Sequence, residues 1–225
     1  MDSEIEKFLI QGKKYINTRK FDLAIQQFRE LITLDSKNFA GYYGLGLCYY
    51  KKCLFKLAIQ NYEKALELNS NQYEAKMELC QCYHLSGQFE KSINRLEKLV
   101  KEYPDENEPV ILLLLSYARN GQISKTFDIF TRAIKANPDD RSIYFSMANV
   151  FIELGEYNLA INNLKQLMTM EPENVYYHNL LGKVYYRINE YDKAINEFNI
   201  ALTIDNDNEF AATYKRFSVE KKENI

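Results

Sequence analysis

Residues 175–208 read VYYHNLLGKVYYRINEYDKAINEFNIALTIDNDN. Leu181, Gly182 and Tyr185 mark the first half of this stretch, and Ala194, Phe198 and Ala201 the second. Stepping back by 34 residues finds the same residue types each time. From Tyr185 the steps land on Phe151, Tyr117, Tyr83, Tyr49 and Tyr15. From Ala194 they land on the small residues Ala160, Thr126, Ser92, Ala58 and Ala24, and from Phe198 on the bulky Leu164, Phe130, Leu96, Tyr62 and Phe28. The column through Gly182 is mostly small as well: Ala148, Leu114, Cys80, Gly46 and Gly12. Pro104, Pro138 and Pro172 recur at the same interval, where a helix must stop. No insertion is needed, so the chain divides into six units: 5–38, 39–72, 73–106, 107–140, 141–174 and 175–208.

The pattern L-G-x-x-Y followed by A-x-x-x-F resembles the tetratricopeptide repeat, a 34-residue helix–turn–helix unit. The resemblance implies an all-α, right-handed superhelical solenoid forming one domain over residues 1–225. In the first unit helix A is expected near Ile5–Thr18 and helix B near Phe21–Leu34. Gly87, Gly121 and Gly155 fall at the bend within a unit, where positive φ is cheap for glycine. Arg19, Cys53 and Asn189 hold that place elsewhere; Asn tolerates the left-handed region, whereas Arg and Cys do so less readily, which predicts two differently shaped bends. Small residues such as Ala58, Ala160 and Ala194 let helix B approach closely, and each unit leaves an apolar face for the next to cover. Residues 209–222 begin like a seventh unit and then depart from it, with Arg216 where Gly182 stands one unit earlier. Phe210, Tyr214 and Phe217 share one helix face there, which fits a terminal capping helix with a dry side and a wet side.

A net charge of −2 over 225 residues gives no broad basic surface for nucleic acid. The longest apolar run, Val110 to Leu115, is too short to cross a bilayer, so direct membrane insertion is not expected. The start MDSEIEK is acidic and has no apolar core of the signal-peptide kind, which makes the cytoplasm the expected compartment and Cys48, Cys53, Cys80 and Cys82 reduced thiols.

Candidate chemistry is sparse. Cys80-x-Cys82-x-His84 has the look of a metal cluster, but helical residues two apart point about 200° apart. Structural zinc wants four convergent ligands, so a buried thiol and a groove-side His84 are expected and no metal. Asp205-x-Asp207-x-Glu209 has Phe210 where a calcium loop needs Gly and Arg216 where it needs Glu. There is no phosphate-binding glycine loop and no Gly-x-Ser-x-Gly elbow. His84 and His178 are the only histidines, and His178 holds a position that the resemblance assigns to packing. No catalytic residues and no cofactor are expected.

The resemblance further implies that helices A line a concave groove. Carried onto this sequence, its groove positions include Tyr43, Leu47 and Tyr50 in the second unit. In the third they include Met77, Glu78, Gln81 and His84, and in the fourth Ile111, Leu112, Leu115 and Arg119. Phe145 and Asn149 follow in the fifth, and Asn179, Lys183 and Arg187 in the sixth. One branch of the family grips a C-terminal carboxylate with Lys, Asn and Arg at such positions, and no frame of this chain matches it: Leu9 and Lys13 are followed by Gly44, Glu74 and Glu78. The apolar members would form a strip along units two to five. Such a strip either binds a partner or is covered by neighbouring helices.

The function expected from this reading is a protein-interaction scaffold or adaptor, not an enzyme, that takes a peptide or helix of a partner protein in the groove. Basic residues of that partner would sit near Glu74, Glu78 and Glu108. The alternative is a regulatory or targeting subunit of an enzyme or membrane-associated machine. RNA binding by helical repeats stands further off, and self-association into a homo-oligomer stays open.

Overall fold

The computed structural model describes residues 2–224, and all regular structure among them is helical. The helices are α1 (Asp2–Asn17), α2 (Phe21–Leu34), α3 (Phe39–Lys51), α4 (Phe55–Leu68), α5 (Tyr73–Leu85), α6 (Phe89–Glu102) and α7 (Asn107–Arg119). They continue as α8 (Ile123–Ala136), α9 (Arg141–Leu154), α10 (Tyr157–Met170), α11 (Val175–Arg187), α12 (Tyr191–Ile204) and α13 (Glu209–Glu223). They group into two compact units, Met1–Gln122 and Ile123–Ile225, divided at the bend between α7 and α8. In the first unit α2 packs on both α1 and α3, α4 on α3 and α5, and α6 on α5 and α7. In the second, α10 packs on α9 and α11, and α12 on α11 and α13. Within each unit these even-numbered helices thus cover both their own partner and the helix that follows, as one-dimensional stacking requires.

The periodic columns are the core. Ala24, Ala58, Ser92, Thr126, Ala160 and Ala194 are all sealed from solvent. So are Phe28, Tyr62, Leu96, Leu164 and Phe198, each worth roughly 1.5–3 kcal/mol of burial. The glycine column explains how such rings fit. A Cβ on Gly12 would stand 2.6 Å from the Phe28 ring, one on Gly46 2.7 Å from Tyr62, and one on Gly182 2.6 Å from Phe198. Each ring sits where a helix A offers bare backbone. Ser92 carries a hydroxyl into the core and donates it to the Cys80 carbonyl at 2.9 Å, which removes the cost of burying it.

The tyrosine column ties successive repeats. Arg29 donates to the Tyr49 hydroxyl at 3.0 Å, while Tyr83 donates to Glu63 and Tyr117 to Glu97. Each bond runs from a helix A to the helix B before it. A second column caps the helices: Asn38, Asp140, Asn174 and Asn208 accept from backbone N–H groups of the first turns of α3, α9, α11 and α13. Three of these caps are held in turn by an acid three residues earlier, as Asn38 is by Asp35 at 3.1 Å and Asn208 by Asp205 at 3.2 Å.

Two expectations need correcting. Arg19 (φ 56°) and Cys53 (φ 58°) bend the chain in the same left-handed way as Asn189 (63°) and Gly87, Gly121 and Gly155 (74–77°). The reason is the pair of hydrogen bonds that closes each helix A: Cys53 N–H to the Tyr50 carbonyl at 2.8 Å and Leu54 N–H to Tyr49 at 2.9 Å, matched by Gly87 to His84 and Gln88 to Tyr83. Orphan carbonyls at a helix end outweigh the side chain's preference. In α13 the buried residues are Ala211 and Ser218, with Tyr214 half-buried between them. Phe210 and Phe217 remain 38% and 37% exposed. Small side chains let α13 lie close on α12, and the two phenyl rings are left at the margins of the contact.

Candidate functional site

In the first unit the odd-numbered helices α3, α5 and α7 lie side by side and carry most of the predicted binding residues. Tyr43, Leu47 and Tyr50 project from α3 and are half-buried. On α5, Met77 is sealed at 6% exposure while Glu78, Gln81 and His84 are half-buried. On α7, Leu112 is sealed at 8%, Ile111 and Leu115 are half-buried, and Arg119 is exposed. The face is therefore a shallow apolar surface with two of its expected members covered. Tyr43 stacks on Phe39 with ring centroids 5.6 Å apart and lies 5.8 Å from the Tyr62 ring beneath it. His84 is turned inward: its Nδ1 is 2.9 Å from the Ser116 hydroxyl on α7, and its ring meets Phe89 edge-on.

Electrostatics single out Glu78. Burial pushes its carboxyl above the ordinary range; Lys51 opposes that shift and Glu108 adds to it. Its Oε2 is sealed from solvent with no hydrogen-bond partner, and so is the hydroxyl of Tyr62. Burial also raises Tyr43 and Tyr50, each with a further push from Glu78. Tyr73 is moved up to about 12, first by burial and then by Glu108, Glu106 and Glu74. Leaving a buried polar atom unpaired costs about 1–3 kcal/mol, so this corner of the face is held at an energetic loss. Cys48, Cys80 and Cys82 are buried thiols pushed up to about 12 by desolvation, which keeps them protonated.

On the opposite side of α5, a cleft of about 660 Å³ is lined by Lys76, Lys91, Arg95 and Lys98 together with Glu63 and Glu102. Lys76 pairs with Glu102 at 2.6 Å and Arg95 with Glu63 at 3.5 Å. The sequence does not announce this cleft, because the charges lining it change from unit to unit: Glu63 stands where Arg29 lines the equivalent cleft one unit earlier, beside Tyr83 and Tyr49 respectively.

In the second unit the predicted residues are largely engaged with their own neighbours. Phe145 packs against Tyr176 and Tyr177 with centroids 5.7 and 6.2 Å apart. Asn149 donates to the Phe145 carbonyl at 2.9 Å, and Asn179 to the Asn208 side chain at 3.3 Å. The Lys183 ammonium stands 5.9 Å from both the Phe210 and Tyr214 rings. Arg187 is exposed. His178 fills its packing position, with Nδ1 2.8 Å from Glu197 and Nε2 2.9 Å from the Pro172 carbonyl.

Tetratricopeptide repeat models match residues 11–73, 54–114 and 175–208, and a further TPR repeat model matches 148–189. These matches fall on the same helical hairpins that the glycine, alanine and aromatic columns hold together. The chain is a tetratricopeptide repeat protein. Its fold recurs in a tetratricopeptide repeat protein from Parabacteroides merdae, 14% identical, with a TM-score of 0.71 over 96% of this chain and 99% of that one. It recurs in YrrB, described as a TPR protein with an unusual peptide-binding site, at 18% identity and a TM-score of 0.53 over 84% of this chain and 97% of that one. It is also found in the APC/C hetero-tetramer Cut9–Hcn1, at 15% identity and a TM-score of 0.64; there it covers 95% of this chain but spans only 42% of the other. No curated protein matches the sequence. Tetratricopeptide repeat proteins as a class mediate protein–protein interactions and are typically scaffolds without catalytic activity. Among the described residues, no helix is long and apolar enough to cross a membrane.

Proposed function

We propose that this tetratricopeptide repeat protein is a scaffold or adaptor whose α3–α5–α7 face takes a segment of a partner protein. The observation that carries this reading is the face itself. Tyr43, Leu47, Tyr50, Ile111 and Leu115 keep part of their apolar surface in water, beside the acidic groups Glu74, Glu78 and Glu108. A partner segment that covers those side chains gains apolar burial at roughly 25 cal/mol per Å², and basic residues on it meet the acids. The peptide-binding site named for YrrB shows that the fold can hold a peptide, and it lends the reading support by fold alone.

The test is Leu115→Asp and Ile111→Asp, followed by circular dichroism and affinity capture from the native cell. Native helicity and thermal midpoint with loss of captured partners support a binding face. Lost helicity, or unchanged capture, shows that these side chains serve packing instead.

A further inference from the structure

We propose that the corner formed by Tyr43, Tyr50, Tyr62 and Glu78 is a socket for one arginine side chain of a bound polypeptide. The proposal rests on the binding-face reading above and deepens it. Three features converge there. Glu78 is half-exposed, yet its Oε2 is sealed and accepts no hydrogen bond. Tyr62 is wholly buried, and its hydroxyl, set among Tyr43, Tyr50 and Glu78, likewise has no partner. Tyr43 and Tyr50 are partly exposed and lie near enough to Glu78 for its charge to act on both hydroxyls.

Each feature asks for a particular chemistry. A desolvated carboxylate asks for a donor that carries positive charge, since charge-assisted bonds are the strong ones. Tyrosine faces attract a cation within about 6 Å of the ring centre. The protein already shows this preference: the Lys51 ammonium stands 5.3 Å from the Tyr50 ring, without an ion pair to Glu78 among the described residues. A guanidinium suits the place better than an ammonium. It is planar, more weakly hydrated and stacks on rings, so it can lie against the tyrosine rings and donate to the outer oxygen of Glu78 while the inner one stays sealed. Glu74 and Glu108 leave the surroundings net negative against Lys51, so an incoming cation is drawn in and an anion is repelled. Leu47, Ile111 and Leu115 extend the half-buried apolar surface away from the socket. The arginine is therefore expected on an apolar segment of polypeptide and not as a free amino acid.

The experiment uses the full chain and synthetic helical peptides with leucine along one face. Arginine is stepped through each position of that face, and every peptide has a twin with citrulline, the uncharged isostere, in the same place. Affinities are read by fluorescence anisotropy against wild type and Glu78→Gln, with melting curves for both proteins. The expected result is that at least one arginine peptide binds wild type about tenfold or more tighter than its citrulline twin. Glu78→Gln should reduce that ratio to about one and melt no lower than wild type. Peptides that bind equally well with arginine or citrulline, or a ratio that survives Glu78→Gln, overturn the socket and leave the binding face standing. Failure of every peptide to bind overturns both. Free arginine competing as tightly as the best peptide overturns the polypeptide as occupant.

Discussion

The six inter-helical bends offer a test of backbone strain free of packing. Gly87 sits at φ 76°, and a Cβ built there meets nothing within 4 Å, so Gly87→Ala changes backbone preference alone. Placing an L-residue in the left-handed region costs about 1–2 kcal/mol, offset by about 0.4–1 kcal/mol from the smaller entropy of the unfolded chain. The net expectation is a loss of about 1 kcal/mol. Cys53 is the mirror case: it is exposed and held at φ 58° by the same pair of closing hydrogen bonds. Cys53→Gly should relieve about 1–2 kcal/mol of strain and give back roughly 0.5–1 kcal/mol in glycine entropy, a net gain of several tenths to 1 kcal/mol. Cys53→Ala, which removes the thiol but keeps the strain, should be nearly neutral. The assay is urea unfolding followed by far-UV circular dichroism, with the midpoint compared at constant slope. If Cys53→Gly lowers the midpoint, or Gly87→Ala leaves it unmoved, the bends are not strained as argued. The geometry at Arg19 and Cys53 would then come from something other than the closing hydrogen bonds.

Gly182→Ala would drive a methyl group into the Phe198 ring at 2.6 Å; it should cost about 1–3 kcal/mol by overpacking, read as a lowered thermal midpoint, and Phe198→Leu in the same chain should recover part of it. Asn208→Ala removes the cap of α13 and should cost about 1 kcal/mol, visible as faster amide exchange at Ala211 and its neighbours. Glu78 predicts a pH dependence of definite sign. Its folded carboxyl is raised by burial, so the folded chain holds that proton to higher pH than the unfolded chain does. Stability from this group is lost as pH rises from the unfolded value, about 4.3, through the folded one, and the penalty is complete above it. Glu78→Gln should therefore be the more stable protein at neutral pH, with the advantage fading as the solution is acidified through that window.

The fold was legible because a 34-residue register repeats the same packing problem six times. Small residues at Ala58 or Ala194 and rings at Phe28 or Phe198 can alternate at that spacing only where two helices meet again and again. The capping column was less complete, since Gln72 and Glu106 hold its position without capping α5 and α7, and polar residues before a helix draw less notice than missing side chains within one. The face on α3, α5 and α7 was legible as a set of positions and not as an environment. Periodicity places Met77 and Tyr43 alike on it, yet one is sealed and the other half-open. That difference depends on which side chains of neighbouring helices happen to cover each position, which a column of residue types does not carry. The isolation of Glu78 is of the same kind: no spacing announces that Lys51 prefers the ring of Tyr50 to the carboxylate beside it.

The hydroxyls of Tyr49, Tyr83 and Tyr117 have one more implication. The first takes a hydrogen from a cation, Arg29, and the other two give theirs to anions, Glu63 and Glu97. A phenol can do either, so the seam between consecutive hairpins does not dictate the sign of the neighbour. Hairpins joined this way are interchangeable at the joint. An extra copy of residues 73–106 spliced in after Glu106 would find its Tyr83 facing a carboxylate, as the original does. Growth by duplication asks for no new chemistry at the splice.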